Sequence, residues 1–309
     1  MTTHHFQPSV YYTAIGTYEP VLRIASGDTV ETNTVDSGGL DKEGNQATPG
    51  GNPQTGPFYV EGAAPGDVLA VRFDRIVPNR PWGRTSALVA PHIVDPGFVA
   101  ELPRERGRGH WEVDTKSWTA TLAEPETALG RFSIPLDPMM GCFGVAPPRG
   151  QAISCATSGT HGGNMDYRGF RQGVTVYFPV FVEGALFHLG DGHATQGDGE
   201  ITGTGTEISM DVTFTAWVHR KGQSITWPRA EDEQFIMAVG NARPLDQAVQ
   251  HATTELLKWL DEDYGLDYRA GSLLVGQCLR YDVGNVFDPA YTMVAKLEKS
   301  LLAPYRKGA

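Results

Sequence analysis

The chain has little cysteine, no surplus of basic charge and no long apolar run. Its three cysteines, Cys142, Cys155 and Cys278, form no CxxC pair and cannot all be paired with one another. This usage predicts reduced thiols and a cytoplasmic setting rather than a disulfide framework. Lys and Arg number 25 against 36 Asp and Glu, for a net charge of −11, which argues against nucleic acids and anionic membranes as partners. The most apolar stretch, residues 176–182, is too short to span a bilayer, and the first ten residues lack the layout of a signal peptide.

Familiar nucleotide-binding and hydrolase motifs are missing as well. No GxxxxGKS or GxxxxGKT segment occurs, which excludes a P-loop, and no GxGxxG follows a predicted strand. The chain also lacks GxSxG and HExxH, so it has neither a serine nucleophile elbow nor the metal-binding helix of a zincin protease. A catalytic site must therefore be assembled from other residues.

Glycine and proline, by contrast, are abundant, at 37 and 21 residues. Helix interiors tolerate neither residue well, so an all-helical bundle is disfavoured. Short apolar runs are separated by turn residues, as in 58–60, 65–67 and 68–73, and this pattern predicts strand, turn and strand. We also predict strands over 113–122 and 208–218, the second with the alternation of a half-buried antiparallel strand.

One segment near the C-terminus has helical periodicity. Apolar residues recur every three or four positions over 245–260, with Pro244 predicted as the first helical residue and Gly265 as the C-cap. Residues 267–278 are predicted as a second helix, and 292–297 as a final strand or helix. Helices are thus expected only in the C-terminal region.

These elements predict a mostly β fold, of sandwich-like or barrel-like sheets with a smaller C-terminal α+β portion. No internal repeat, low-complexity tract or obvious linker interrupts the chain. We therefore expect a single catalytic unit over residues 1–309.

Two glycine-rich polar clusters hold the residues best suited to chemistry. They span 159–166 and 190–200, and their glycine density lets backbone approach a ligand closely. Asp191 and His193 are two residues apart, which places both side chains on one side of an extended chain. Imidazole and carboxylate together suit a zinc-like ion, and a spare carboxylate such as Glu200 suits a general base. Ordinary Asp-Gly turns and a calcium loop are the alternative interpretations.

Asp36 is a separate candidate, because it directly follows the strand-like stretch 29–35. An acidic residue at the end of a strand can serve a functional site, but it can equally cap a turn. The residues alone leave both interpretations open.

Four segments, in their order and spacing, resemble the acetamidase/formamidase family. The matching segments are 52–67, 138–147, 161–166 and 190–200. The resemblance implies a mostly β fold that hydrolyses short aliphatic amides to a carboxylate and ammonia. It also implies a divalent metal in the active site, with zinc as the first choice and calcium as the second.

The resemblance further implies the metal ligands. By position, these would be Asp36, Asp191 and His193. The family often has Gly-Gln-Ile shortly after the position of Asp36, whereas this chain has Gly38-Gly39-Leu40. The chain thus departs from the family pattern next to one of the three implied ligands.

Catalytic and pocket residues are implied in the same way. Glu200 would carry the proton, with His161 and Asp166 as the other catalytic residues. The substrate pocket would be lined by Asn164, Gly162, Gly163 and Cys142.

The chemistry expected of such a site needs no covalent nucleophile. A metal would polarise the amide carbonyl and lower the pKa of a bound water. Glu200 would take the proton of that water and hand it to the departing nitrogen, while glycine N–H groups would stabilise the oxyanion. A covalent route through Cys142 or Cys155 would want a lysine, and none occurs between residues 116 and 221.

Two other hypotheses remain open from the sequence. The enzyme could act on cyclic amides such as a γ-lactam instead of linear ones. Alternatively, the chain could be a non-enzymatic β protein whose acidic glycine loops hold Ca²⁺ structurally. For the enzyme we expect a small-molecule amide as substrate and a homo-oligomer, a dimer or higher, as the assembly.

Overall fold

The computed structural model describes residues 1–220 and 225–306, and strands dominate it. In chain order the strands are β1 (Thr3–His5), β2 (Tyr11–Tyr12), β3 (Ala14–Ile15), β4 (Leu22–Ile24), β5 (Thr29–Asn33), β6 (Gln54–Val60), β7 (Val68–Pro78), β8 (Trp82–Ser86), β9 (Arg108–Asp114), β10 (Thr119–Glu124), β11 (Ser133–Pro135), β12 (Met139–Val145), β13 (Ile153–Ser154), β14 (Ser158–Gly159), β15 (Gly162–Asn164), β16 (Thr175–Pro179), β17 (Phe187–His193), β18 (Met210–His219), β19 (Arg229–Glu231), β20 (Phe235–Ala242), β21 (Arg280–Asn285) and β22 (Tyr291–Glu298). The α-helices are α1 (Leu245–Tyr264), α2 (Tyr268–Cys278) and α3 (Lys299–Leu302). The prediction of a mostly β fold with a C-terminal helical part is confirmed.

Two large sheets carry most of the strands. One has nine strands in the order β1-β5-β18-β7-β16-β19-β20-β22-β21. The other has seven: β14-β15-β12-β17-β6-β2 in a row, with β4 paired to β6. A four-stranded sheet, β11-β10-β9-β8, and the pair β13-β3 complete the set.

Aromatic side chains fill the space between the two large sheets. Phe143 of β12 contacts Phe73 of β7, with ring centroids 5.0 Å apart, and Phe58 of β6 contacts Phe214 of β18 at 5.2 Å. All four side chains are fully buried, and burial of each contributes about 1.5–3 kcal/mol. The sheets therefore pack face to face as a β-sandwich, and the seven-stranded sheet carries the glycine-rich strands.

Helix α1 packs against β20 and β22 of the nine-stranded sheet. Gly240 permits this approach, because a Cβ there would lie 2.0 Å from the carbonyl oxygen of Ala248. Gly265 ends the helix with a φ of 66°, as predicted, whereas Pro244 precedes the first helical residue instead of occupying it. The second predicted helix is α2, which Asp267 caps through hydrogen bonds to two backbone N–H groups. None of the helices in the described part of the chain has the length and apolar character that a bilayer crossing requires.

The prediction of one strand over 113–122 is wrong. The chain reverses there between β9 and β10, which pair as an antiparallel hairpin. The Asp114 carboxylate accepts hydrogen bonds from Lys116 N and Ser117 Oγ at 2.8 Å each, and these close the turn. Residues 292–297 lie in strand β22, so the strand alternative is correct for that segment.

Candidate active site

Strand β17 places the second glycine-rich cluster within the seven-stranded sheet, next to β12. Asp191 and His193 both lie on this strand and are buried. The φ angles of Asp166, Asp191 and Glu200 are 41°, 61° and 47°, in the left-handed region that non-glycine residues seldom adopt. Strained backbone of this kind tends to cluster at functional sites, where the surrounding structure enforces it.

Glycines make room where the acidic side chains converge. A Cβ at Gly141 would lie 2.3 Å from Asp166 Oδ1 and 2.7 Å from Asp191 Oδ2. A Cβ at Gly205 would lie 2.5 Å from the ring of His193. Real Cβ atoms essentially never approach so closely, so only glycine fits at either position.

Six titratable side chains meet at this point and form what we call the carboxylate cluster. Nε2 of His193 lies 2.9 Å from Glu207 Oε1 and 3.4 Å from Asp191 Oδ1. The ligand atoms fall into three overlapping groups, each within 4.8 Å: Asp166, Asp191 and His193; His193, Glu200 and Glu207; Asp166, Glu200 and Asp288. Every member is buried, so the structure brings five carboxyl groups and one imidazole out of water together.

Asn285 holds three of these carboxylates at once. Its Nδ2 donates to Asp166 Oδ2 at 2.7 Å, to Asp288 Oδ2 at 2.8 Å and to Glu200 Oε2 at 3.0 Å. Its Oδ1 accepts hydrogen bonds from the backbone N–H groups of Phe287 and Asp288. Asn285 is therefore a fixed donor that spaces the acids and orients them.

A second amide orients the histidine. Gln196 Oε1 lies 2.8 Å from His193 Nδ1, and Gln196 Nε2 donates to the backbone carbonyl of Asp166. Since Gln196 Oε1 can only accept, Nδ1 carries a proton, and in the neutral form of the imidazole it is Nε2 that presents a lone pair to the carboxylate cluster. This arrangement is typical of a metal-binding histidine whose other ring nitrogen is held by the protein.

Three buried atoms in the carboxylate cluster have no hydrogen-bond partner in the described structure: His193 Nε2, Asp166 Oδ1 and Glu207 Oε2. Buried polar atoms are normally paired, so unpaired atoms on neighbouring acids and an imidazole need an explanation. His193 shares one of the three groups with Asp166 and another with Glu207, and a divalent cation bound in either group would supply a partner for the atoms there. An imidazole among carboxylates suits zinc, whereas calcium prefers oxygen ligands alone. The residues present therefore fit a divalent metal.

A cavity of about 420 Å³ reaches the carboxylate cluster from the surface. It is lined by Thr13, Ser37, Gly50, Gly51, Asn52, Ser154, Ala156, Asn164, Asp191, Glu200, Gly203, Thr204, Glu207 and Asp288. Asn52 and Asn164 are joined in its wall, because Asn52 Nδ2 donates to Asn164 Oδ1 at 2.8 Å. Asn164 Nδ2 in turn donates to Asp288 Oδ2 at 2.6 Å. A small polar molecule entering here would meet both amide and carboxylate side chains.

Both glycine-rich clusters lie within residues 149–244, which match the family model described as the Acetamidase/Formamidase family. The crystal structure of acetamidase from Yersinia enterocolitica is 33% identical in sequence, and the match covers 97% of this chain and 93% of that one, with a TM-score of 0.83. This chain belongs to the acetamidase/formamidase family. The family resemblance of the sequence motifs is thereby confirmed.

Other members of the acetamidase/formamidase family resemble the chain in fold or sequence. A recombinant predicted acetamidase/formamidase from Thermoanaerobacter tengcongensis has a TM-score of 0.84 at 28% identity, over 98% of each chain. The acetamidase of Mycolicibacterium smegmatis is 51% identical over 197 residues, which are 48% of each protein. The chain spans about half or less of the length of the curated relatives it matches.

Burial raises the pKa of most acids in the carboxylate cluster of this chain. Burial first, and then the charge of Glu200, holds the pKa of Asp166 well above its ordinary value. Burial likewise holds the pKa of Glu200 well above its usual range, and it raises the pKa of Glu207. For Asp288, burial raises the pKa to about 6. Without a cation, the carboxylate cluster therefore retains protons near neutral pH.

The pKa values of Asp191 and His193 are shifted in the direction opposite to the one that burial alone would produce. Burial acts to raise the pKa of Asp191, but the charge of His193 outweighs it and the pKa is lowered. Burial acts to lower the pKa of His193, but the carboxylates of Glu207 and Asp191 outweigh it and the pKa is raised well above its ordinary value. The two residues thus stabilise each other in their charged forms.

The structure does not bring the carboxylate of Asp36 into the carboxylate cluster. Asp36 Oδ2 accepts a hydrogen bond from an Arg80 guanidinium nitrogen at 2.8 Å, and both side chains are almost fully buried. Asp36 Oδ1 accepts from the backbone N–H groups of Gly38 and Leu40. Among the described residues, Asp36 belongs to none of the three metal-binding groups. Its contacts are those of the turn-capping interpretation.

The other predicted site residues are divided between the cavity and the core. Asn164 lines the cavity, but His161, Cys142, Gly162 and Gly163 are absent from its lining in the described part of the chain. His161 is buried, and burial lowers its pKa to about 4. Cys142 packs with Ile15 and Cys155, and burial raises the pKa of its thiol well above the ordinary value, which disfavours a thiolate nucleophile.

Sequence reasoning missed Glu207, Asp288, Asn285 and Gln196. Glu207 precedes a predicted strand and Asp288 lies in a turn, which are ordinary places for acids. One signal was available: Asn285, the last residue of β21, and Asp288 are three residues apart, a spacing that suits an Asx turn. Nothing local indicates that this turn lies against residues 166–200.

Proposed function

We propose that this chain is a metal-dependent amidohydrolase that converts short aliphatic amides of the formamide or acetamide type to a carboxylate and ammonia. The observation that carries the proposal is the cluster of buried acids around His193, three atoms of which have no hydrogen-bond partner among the described residues, beside a cavity that Asp191, Glu200, Glu207 and Asp288 line. Relatives named acetamidase and formamidase support the reaction class.

For the metal we propose zinc, with calcium as the alternative. Asp191 and His193 would be ligands, as the sequence predicts, and Glu207 would take the place first given to Asp36. Asp36 instead shapes the adjoining turn through Arg80. A divalent metal at this position supplies Lewis acidity, which polarises a carbonyl oxygen and lowers the pKa of water.

Glu200 is the proposed proton carrier. It lines the cavity, and Asn285 holds its Oε2, which fixes the direction of the carboxyl group. Burial raises its pKa, so that it can take a proton from the attacking water and return it to the leaving nitrogen at neutral pH. Asp166, tied to the same Asn285, would brace Glu200 and hold a proton of its own.

Asn164 is proposed to bind the substrate. Its amide faces the cavity and is fixed on both sides by Asn52 and Asp288. The other predicted residues are proposed to act indirectly, by setting the path of β12 and β15 under the cavity. They are His161, Gly162, Gly163 and Cys142. Gly162 illustrates this role, because a Cβ there would lie 2.5 Å from the carbonyl oxygen of Phe143 on β12.

The test is ammonia release from formamide and acetamide by the wild type and by Glu200→Gln, with the metal content of each measured. We expect Glu200→Gln to keep its metal and lose about 100-fold or more in turnover. Asp198→Asn, an exposed acid on the same loop, is the matched control and should keep wild-type turnover. Full activity of Glu200→Gln would refute its role.

The same preparation separates the alternative functions. The rate of γ-lactam opening, measured by chromatography of the amino-acid product, is compared with the rate of acetamide cleavage. A faster rate for the γ-lactam would make the cyclic amide the preferred substrate. Bound calcium alone, with no hydrolysis of any amide, would favour the cation-binding protein.

We also propose that residues 1–309 form a single catalytic unit that works in the cytoplasm as a homo-oligomer. The free thiols of Cys142, Cys155 and Cys278 support a reducing compartment. Light scattering on the purified chain measures the oligomeric state, and a monomeric mass would contradict that part of the proposal.

A further inference from the structure

A second cavity, of about 620 Å³, adjoins the active-site cavity. The two share Ser37, Thr204 and Glu207 as lining residues. Three arginines, Arg84, Arg106 and Arg108, also line this second cavity, which we call the arginine vestibule. The shared residues place the two cavities side by side, with Glu207 at their boundary.

The sheet register aims Arg84 and Arg108 at the same space. Strands β8 and β9 pair so that Ser86 is opposite Arg108 and Arg84 is opposite His110. Side chains of paired and alternate residues share a face, so Arg84 and Arg108 lie on one side of this sheet. Arg84 also exchanges two backbone hydrogen bonds with Glu207, at 2.8 and 3.2 Å. The arginines are thus built onto the backbone that carries one of the cluster acids.

These arginines have no carboxylate partner. Among the described residues, the arginine ion pairs, which need an Asp or Glu oxygen within 4.0 Å, are all formed by other arginines. The Cζ atom of Arg84 lies 5.1 Å from the ring of Trp82, and Arg106 donates to the carbonyl of Thr202 at 2.7 Å. Arg84 is half-buried, whereas Arg106 and Arg108 are exposed at the rim, so all three guanidinium groups are available to an anion.

The acids in the arginine vestibule are engaged elsewhere. Asp36 is paired with Arg80, and Glu207 faces His193 in the carboxylate cluster. In a chain with a net charge of −11, a cavity with three uncompensated guanidinium groups is a local reversal of sign. Guanidinium groups recognise carboxylates through two parallel hydrogen bonds, so a carboxylate is the ligand that this surface fits.

Resting on the proposed function, we propose that the preferred substrates are amides that carry a carboxylate at the end away from the amide. The amide enters the active-site cavity, and the carboxylate lies in the arginine vestibule against Arg84 and Arg108. Hydrolysis breaks the amide C–N bond and forms a C–O bond, with water supplying oxygen to the carbon and a proton to the nitrogen. The new carboxylic acid gives up its proton to the ammonia at neutral pH, so the products are a dicarboxylate and ammonium.

The cavity sizes agree with a longer substrate. Acetamide has four heavy atoms, and at about 30 Å³ for each displaced water it takes roughly 120 Å³. The active-site cavity alone has about 420 Å³, and the arginine vestibule adds to it. A short aliphatic amide therefore fills only part of the active-site cavity, which leaves room for a longer chain with a carboxylate at its far end.

The experiment compares succinamate with butyramide, which has a methyl group in place of the carboxylate. In wild-type protein we expect the kcat/KM for succinamate to exceed that for butyramide by about 10-fold or more, and salt of about 0.5 M to reduce this preference. Arg84→Gln and Arg108→Gln should each lower the succinamate-to-butyramide ratio about 5-fold. Arg269→Gln, an exposed arginine of α2, is the matched control and should leave both values unchanged.

Equal kcat/KM values for the two amides, or ratios that the Arg84 and Arg108 variants do not change, would overturn the proposal while leaving the amidase function intact. If neither amide is hydrolysed, the proposed amidase function is refuted. Calorimetric binding of succinamate then tests separately whether the arginine vestibule binds a carboxylate. Binding that Arg84→Gln weakens would support a carboxylate site there. No binding to wild-type protein would overturn it.

Discussion

Replacing Asn285 with aspartate would test how the carboxylate cluster is held in a fold that buries five acids together. The two side chains have nearly the same shape. Aspartate would still accept hydrogen bonds from Phe287 N and Asp288 N through the equivalent of Oδ1. What it would lose is the Nδ2 group that donates to three carboxylates at 2.7 to 3.0 Å. The substitution therefore removes donation without changing the turn.

The expected loss follows from those contacts. An amide NH₂ group has two protons, so the three contacts count as two hydrogen bonds. Asp288, with a pKa of about 6, is a charged acceptor at pH 7, whereas Asp166 and Glu200 have pKa values raised well above the usual range. At about 1.5–3 kcal/mol for a bond to a charged acceptor and about 1 kcal/mol for a bond to a neutral one, Asn285→Asp should destabilise the metal-free protein by about 3 kcal/mol at pH 7. The new carboxyl group avoids a larger penalty by taking up a proton.

Urea denaturation of chelator-treated protein measures this change in the free energy of unfolding. At pH 5 the loss should shrink, because Asp288, with a pKa of about 6, is then protonated and can itself donate a hydrogen bond. Asn33→Asp makes the same chemical change at an exposed Asn–Gln contact and should cost less than about 0.5 kcal/mol. A loss below that value for Asn285→Asp at pH 7, or one that grows at pH 5, would refute the reasoning.

Three further changes test other parts of the structure. Arg80→Met leaves the buried carboxylate of Asp36 without its partner and should lower the free energy of unfolding by about 3–5 kcal/mol in urea denaturation. Arg131→Met, from an exposed pair, should lower it by less than about 1 kcal/mol. Equal losses for the two variants would contradict the account. Gly240→Ala places a Cβ 2.0 Å from a carbonyl oxygen of α1 and should lower stability by about 2 kcal/mol or more, whereas Gly276→Ala, which meets nothing within 4 Å, should not. Burial raises the pKa of four carboxyl groups in the carboxylate cluster and lowers the pKa of two histidines, His161 and His188, to about 4. The four acids outnumber the two histidines, so the folded metal-free protein binds more protons than the unfolded chain. Its melting temperature should then fall between about pH 5 and about pH 8, and a rise over that range would be the opposite result.

Local patterns predicted the elements that local physics determines. Helix α1 has an apolar stripe and a glycine that can adopt positive φ at its end, and both features are encoded within residues 245–265. The turn between β9 and β10 escaped prediction because no glycine or proline marks it. Its closing hydrogen bonds come from Asp114, whose role depends on the backbone conformation of the two residues after it.

The candidate site was predictable only where its residues are close in sequence. Asp191 and His193 share a strand, and their spacing alone indicated a shared role. Glu200 and Asn285 are 85 residues apart, and only the packing of the C-terminal strands against the second glycine-rich cluster brings them together. For Asp36, a distant residue has the opposite effect. Arg80, 44 residues further along the chain, binds the Asp36 carboxylate and holds it outside the carboxylate cluster.

Ammonia release from acetamide during zinc titration of metal-stripped protein tests the central claim most directly. The claim is that the carboxylate cluster around His193 is a metal-dependent site for amide hydrolysis. We predict no turnover by the stripped protein, a rise in proportion to the zinc bound, and loss again when a chelator is added. Full turnover by protein that contains no metal would contradict the claim.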